Sequence, residues 1–231
     1  MSRDIDEREL CHERLGRRFE LQMSRYDLDR RLEVLIDDFL GEVEVAGLEA
    51  LDVGCGLGAF SERLSERGAR VTALDIGAGL VAKAVGRARC EGVVGDACRL
   101  IERFGSARFD LVLSSECIEH TAEPRRAVAE MIGVLKPAGR LSLSTPNWLW
   151  QPVVRCASRL KLRPYDGYEN FLGRRELRGL IEAAGGEVIR HTGLHLIPFQ
   201  IPLHRLSKLC DRRLQSLAPL MINQCMLASK R

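Results

Sequence analysis

Between residues 48 and 145, short apolar runs alternate with amphipathic helical stretches, and that alternation leaves few folds open. LEALDVG (48–54), ARVTALD (69–75), VVGD (93–96), FDLVLSS (109–115) and RLSLST (140–145) read as strands. Helical periodicity fills the gaps at 59–67, at 80–88 and through Val128, Met131, Ile132 and Leu135, until Pro137 and Gly139 stop it. Parallel strands joined through helices cross over right-handedly and build a sheet covered on both faces. Leu28, Leu32, Leu35 and Phe39 mark one more amphipathic helix upstream, and EVIRHTGL (187–194) and MINQCMLAS (221–229) read as later strands. The expectation is one α/β domain over residues 1–231 with a doubly wound, mostly parallel sheet. Helices occupy 1–47, the core 48–146, and a cap with the last strands 147–231.

Composition removes several classes. An apolar share of 45% over 231 residues is ample for a core, which rules out a disordered or collagen-like chain. The apolar run LHLIPFQIPL is broken by Pro198 and Pro202 and falls well short of the roughly 20 residues of a membrane span. MSRDIDERELCHERLGRRFE is dense in both charge signs, unlike a signal peptide, so a cytoplasmic location is expected. The eight cysteines form no CxxC pair and several sit in strand-like runs, which points to reduced, buried thiols. Residues 1–149 carry 21 basic and 26 acidic side chains, whereas residues 150–231 carry 14 and 6. The basic C-terminal part is either an offered anion-binding face or a solvated surface.

In a parallel sheet, ligands bind at the carboxyl ends of the strands. LDVGCGLGAF (51–60) places glycines directly after the first strand, where backbone N–H groups can approach a ligand. Gly54-x-Gly56-x-x-Ala59, with Asp75 21 residues past Gly54, also fits a dinucleotide fingerprint. Two features favour another cofactor. Asp52 precedes the glycines in DxGxGxG, a poor neighbour for a pyrophosphate but a good one for an ammonium group. GDA (95–97) then puts Asp96 at the third strand end, suited to an adenine amino group. Carboxylates at three successive strand ends match S-adenosylmethionine, with its ammonium, ribose and adenine. The expected cleft comprises Asp52, Gly54, Gly56, Gly58, Asp75, Ile76, Asp96, Ala97, Ser114 and Ser115.

DVGCGLG, VTALDIG, GDA, FDLVLSSECIEH and LKPAGRLSLSTPN together resemble the class I methyltransferase family. Within it, Glu116-x-x-Glu119-His120 and HTGLHLIPF (191–199) resemble the bacterial ubiquinone-biosynthesis O-methyltransferases. The resemblance implies a seven-stranded Rossmann-like sheet with a helical lid, and cofactor contacts from Gly54, Asp75 and Ser115. Arg31 corresponds to an arginine that family places upstream. Glu116, Glu119 and His120 correspond to residues that ligate a divalent cation, magnesium or manganese. The tryptophan-rich N-terminal stretch of quinone-directed members is missing, so the resemblance speaks to reaction type more than to substrate.

The Glu/His cluster also has a reading of its own. Two carboxylates and an imidazole after the fourth strand can hold a hard cation that acidifies a hydroxyl. Without metal, His120 can take the hydroxyl proton itself, with Glu119 as the other candidate catalytic residue. A third reading leaves the two glutamates complementing a helix N-terminus. His191 and His195 share a strand at even spacing, which points both to one face. Trp148, Trp150, Tyr165 and Tyr168 form either an aromatic substrate wall or a seal on the core. Residues 147–172 and 196–216 are expected to close over the site, with the basic segment 203–214 as lid or as a peripheral membrane contact.

The function these features imply is methyl transfer from S-adenosylmethionine to a small-molecule hydroxyl, a phenol, catechol or polar metabolite. Methylation of nitrogen or of a sugar hydroxyl in natural-product metabolism is the alternative. A nucleic-acid substrate is disfavoured, because SSEC stands where an Asn/Asp-Pro-Pro-aromatic tetrad would.

Overall fold

In the computed structural model, which describes residues 10–11, 24–160 and 167–231, all seven expected strands form one sheet. They are β1 (Glu49–Val53), β2 (Arg70–Asp75), β3 (Glu91–Val94), β4 (Phe109–Ser115), β5 (Leu135–Pro146), β6 (Gly186–Leu194) and β7 (Asn223–Lys230). The order is β3-β2-β1-β4-β5-β7-β6, with β7 antiparallel to both neighbours and the first five strands parallel. Strand order reverses between β1 and β4, which opens a crevice at their carboxyl ends.

Helices cover both faces. α1 (Arg25–Leu32), the π-helical turn Glu33–Asp38 and α2 (Ala59–Glu66) pack on one side, where Leu35, Ile36, Phe39 and Leu64 meet Leu111, Leu113 and Leu227. α4 (Leu100–Phe104), α5 (Pro124–Val134) and α7 (Arg174–Ala183) cover the other, where Val128, Met131, Ile132 and Ile181 meet Val53, Val112 and Leu143. α3 (Ala78–Ala88) lies beside α2 and β3, and α6 (Gln151–Arg159) and α8 (His204–Arg213) belong to the C-terminal cap. Leu111 and Leu113 of β4 feed one cluster and Val112 between them the other, as the period of a strand covered on both faces requires.

Two expectations shift. β3 starts at Glu91 and ends at Val94, because Asp96 instead accepts the Cys98 N–H at 2.8 Å and caps a short turn. α5 stops at Val134, and Leu135 already pairs with Phe109 in the sheet. Pro137 disfavours helical geometry at Lys136, so the helix ends earlier than its apolar spacing suggests. In the basic segment Leu203, Leu206, Leu209 and Leu214 are exposed, while Ser207 and Asp211 are buried. All eight cysteines are free thiols. Tyr165 and much of the N-terminal helical region lie outside the described residues.

Candidate active site

A cavity of about 220 Å³ lies at the carboxyl ends of β1, β2 and β4. Of the sequence-predicted residues, Arg31, Gly54, Gly56, Asp75, Ile76, Asp96, Ala97, Ser115, Glu116 and His120 line it. Leu57, Phe60, Leu74 and Leu80 supply apolar wall between them. Asp75 and Asp96 follow β2 and β3, whereas Glu116 and His120 follow β4 on the other side of β1, with Arg31 bonded to Ser115.

Asp75 ends β2 and organises the cofactor end. Its Oδ2 accepts the Gly56 N–H and its Oδ1 the Gly77 N–H, both at 3.0 Å. The two bonds orient the carboxylate at the strand end. Gly56 has φ +50 and nothing within 4 Å of where a Cβ would stand, so the turn keeps open space beside the carboxylate. Gly58 serves packing: at φ +79, a Cβ would lie 2.6 Å from the Ala84 Cα, and this close approach lets α2 meet α3. The acidic strand end, open glycine turn and apolar slot fit the ribose and adenine of S-adenosylmethionine.

Asp52, Gly58, Ser114 and Glu119 do not line the cavity. Ser114 turns inward and donates to the Val53 carbonyl at 2.9 Å. Asp52 is buried behind the glycine turn and accepts from Ser61 Oγ at 2.6 Å, so its carboxyl faces the protein and not a ligand ammonium. Burial, with Asp75 nearby, pushes its pKa up to about 7. The native state thus holds this proton where the unfolded chain releases it, and the stabilisation present below pH 4 is lost as pH rises towards 7. Asp52→Asn is expected to unfold at a higher temperature than the parent at pH 8 and at nearly the same temperature at pH 4. Parallel melting curves at the two pH values check this.

Arg31 comes from α1. Its Nε and Nη2 donate to Asp27 Oδ2 at 3.1 and 2.8 Å, and its Nη1 donates to Ser115 Oγ at 2.8 Å. These bonds use three of the five N–H groups of a residue that lines the cavity. Asp27 was not singled out from sequence, although its i,i+4 spacing to Arg31 on an amphipathic helix is a readable signal. Burial raises its pKa, but Arg31 and His195 more than offset this and bring it to about 2.

The cation-ligand set expected of Glu116, Glu119 and His120 does not assemble. Glu116, at φ +52, accepts from Ser144 Oγ at 3.0 Å and from Asn223 Nδ2 at 2.8 Å. Glu119 is fully buried and accepts from Thr145 Oγ1 at 3.0 Å. Burial raises both carboxyl pKa values, and for Glu119 the nearby Glu116 adds to it. Among the described residues, no three His, Cys, Asp or Glu side chains are arranged to hold a metal. His120 stands differently: its Nδ1 donates to the Tyr168 carbonyl at 2.8 Å, which leaves the neutral ring's lone pair on Nε2. Glu119 Oε1 lies 3.8 Å from that Nε2.

The remaining candidates separate. His191 sits among Arg174 and Arg178, and burial with those charges lowers its pKa to about 4. His195 lies past the strand end at φ +64 and faces α1, because the left-handed residue breaks the two-residue alternation. Trp148 packs on Gly173 and Trp150 Nε1 donates to the Leu220 carbonyl at 3.0 Å. Neither tryptophan nor Tyr168 lines the cavity. The segment near Tyr168 instead braces the loop after β4, with Asn170 donating to the Glu119 and Thr121 carbonyls at 2.8 and 2.9 Å. The outer wall comes from upstream, through Leu10, Leu28 and Arg31.

The profile of the methyltransferase domain matches residues 51–143. The ubiquinone biosynthesis O-methyltransferase of Coxiella burnetii is 30% identical over 168 residues, which cover 69% of this chain and 72% of that protein. Its counterpart in Nitrosococcus oceani is 33% identical over 164 residues, covering 67% and 70%. Among solved structures, the magnesium protoporphyrin IX methyltransferase of Synechocystis with bound SAH aligns with a TM-score of 0.68 at 17% identity, covering 97% and 98%. The [4+2]-cyclase SpnF aligns at 0.64 with 20% identity, covering 87% and 80%. The structural likenesses speak to architecture alone, and the cyclase shows that this fold carries more than one reaction.

Proposed function

The chain belongs to the methyltransferase family that includes the ubiquinone biosynthesis O-methyltransferases and is S-adenosylmethionine-dependent, and within that membership we propose that it methylates a hydroxyl of a small-molecule acceptor. The observation that carries the oxygen reading is His120 at the cavity wall, with its tautomer set by Tyr168 and its basic nitrogen on Nε2. When bound, S-adenosylmethionine supplies an electrophilic methyl group on a sulfonium. In this reading Asp75 accepts from the ribose hydroxyls, Asp96 and Ala97 border the adenine, and the spare N–H groups of Arg31 take the carboxylate of the methionine end. The apolar walls exclude water from the reacting centre, and alignment of donor and acceptor does most of the work. His120 Nε2 takes the acceptor's hydroxyl proton.

Incubation with methyl-labelled S-adenosylmethionine and a panel of catechols, phenols, polar alcohols and amines tests this. The expected product is a methyl ether, and label appearing only on amine nitrogen overturns the reading. The donor geometry around Glu116 predicts that turnover persists in a chelator; activity lost on chelation and restored by magnesium or manganese would show that the loop regroups into a ligand set.

The exposed leucines of α8, flanked by exposed Arg205 and Arg213, support a further reading of the cap as a peripheral contact with anionic membrane. Among the described residues no helix is long and apolar enough to cross a membrane. Cosedimentation with phosphatidylglycerol vesicles but not with phosphatidylcholine vesicles is the expected result.

A further inference from the structure

His195 occupies an unusual position. It is the first residue past β6, it is wholly buried, and it adopts φ +64, a left-handed conformation that non-glycine residues take only at a cost. Its neighbours fix it from several directions. The ring packs between Tyr26 of α1, at 5.7 Å between centroids, and Phe199 of the cap, edge-on at 5.1 Å. Its carbonyl accepts from the Ile222 N–H at 3.3 Å, and the next residue, Leu196, donates to Asp211 Oδ1 at 3.0 Å. The left-handed turn directs the imidazole away from the sheet and onto α1, where Nε2 lies 2.9 Å from Asp27 Oδ1. Asp27 is ionised in this setting, so the ring nitrogen is the donor. The other oxygen of the same carboxylate receives both bonds from Arg31.

We propose that His195 is a positioning residue for cofactor capture: through Asp27 it fixes the Arg31 guanidinium at the cavity wall, in the place where that guanidinium meets the carboxylate of the cofactor's methionine end. The inference rests on the cofactor reading above and deepens it, because it links a residue at the root of the cap to affinity in the cofactor cleft. A carboxylate held from one side only can swing with its arginine. Held from both sides, it sets the guanidinium in one plane, and a planar fork rewards that preorganisation.

The test compares two ligands in calorimetric titrations of the full chain. S-Adenosylhomocysteine carries the amino-acid carboxylate and 5′-methylthioadenosine lacks it. His195→Leu is expected to weaken S-adenosylhomocysteine binding about tenfold and leave methylthioadenosine binding unchanged, with His195→Gln, which restores a side-chain N–H donor, recovering most of the loss. Asp27→Asn should give the same selective loss, and it stands in should His195→Leu not fold. Equal weakening of both ligands, or unchanged S-adenosylhomocysteine binding in both His195→Leu and Asp27→Asn, overturns the positioning role. Failure of the parent protein to bind either nucleoside overturns the cofactor reading itself and with it this inference, a result distinct from a selective effect that fails to appear.

Discussion

Replacing His120 by alanine is expected to lower kcat by about 10²–10⁴-fold while leaving the affinity for S-adenosylhomocysteine within about twofold. The split follows from where the side chain stands. His120 lines the cavity with Glu116 and Ser115 after β4, across β1 from Asp75 and Asp96, so in this reading it meets the acceptor and not the nucleoside. Its Nδ1 is committed to the Tyr168 carbonyl, which makes Nε2 the proton acceptor. His120→Gln keeps a polar group there without a base and should be nearly as slow. Single-turnover measurements with saturating cofactor separate the chemical step from binding; a His120→Ala enzyme with normal turnover removes the base role.

Asp75→Ala has the second large effect, on the other parameter. It removes a carboxylate that binds ribose in this reading and also the partner of two backbone N–H groups. Loss of charge-assisted bonds to the ribose should cost about 1–3 kcal/mol, roughly 5–150-fold in dissociation constant. Asp75→Asn is the control: one amide oxygen can still hold a backbone N–H, so the glycine turn suffers less while the charge is gone. Calorimetry showing unchanged affinity in both variants would remove Asp75 from the site.

Much of this was legible in the chain because the signals were local. Alternating apolar runs placed all seven strands, and the FDLVLSS strand matched to the residue, since a strand buried on both faces is a continuous apolar run. The glycine turn and Asp75 were readable because a close backbone approach and a strand-end carboxylate each demand a residue type at a fixed place. Long-range pairing was not readable. Nothing near Asp52 signals that Ser61, nine residues on, takes its carboxyl away from the cleft. Glu116 is claimed by Asn223 from a strand 107 residues away, which is why an apparent ligand motif does not gather into one. The outward turn of the α8 leucines was not readable either: Arg30 of α1 and Glu33 of the π-helical turn face that helix, so Asp211, Lys208 and Arg212 turn towards them and the apolar side turns out. His195 pairs with Asp27 across 168 residues, and a left-handed residue cannot be inferred from strand alternation.

The most direct measurement is an experimental structure of the complex with S-adenosylhomocysteine. The expected complex has ribose hydroxyls on Asp75, adenine against Ile76 and Ala97, the methionine carboxylate on Arg31, and the sulfur directed towards His120. A ligand bound away from this cavity, or bound within it with the sulfur directed away from His120, would rule out methyl transfer at this site with His120 as base.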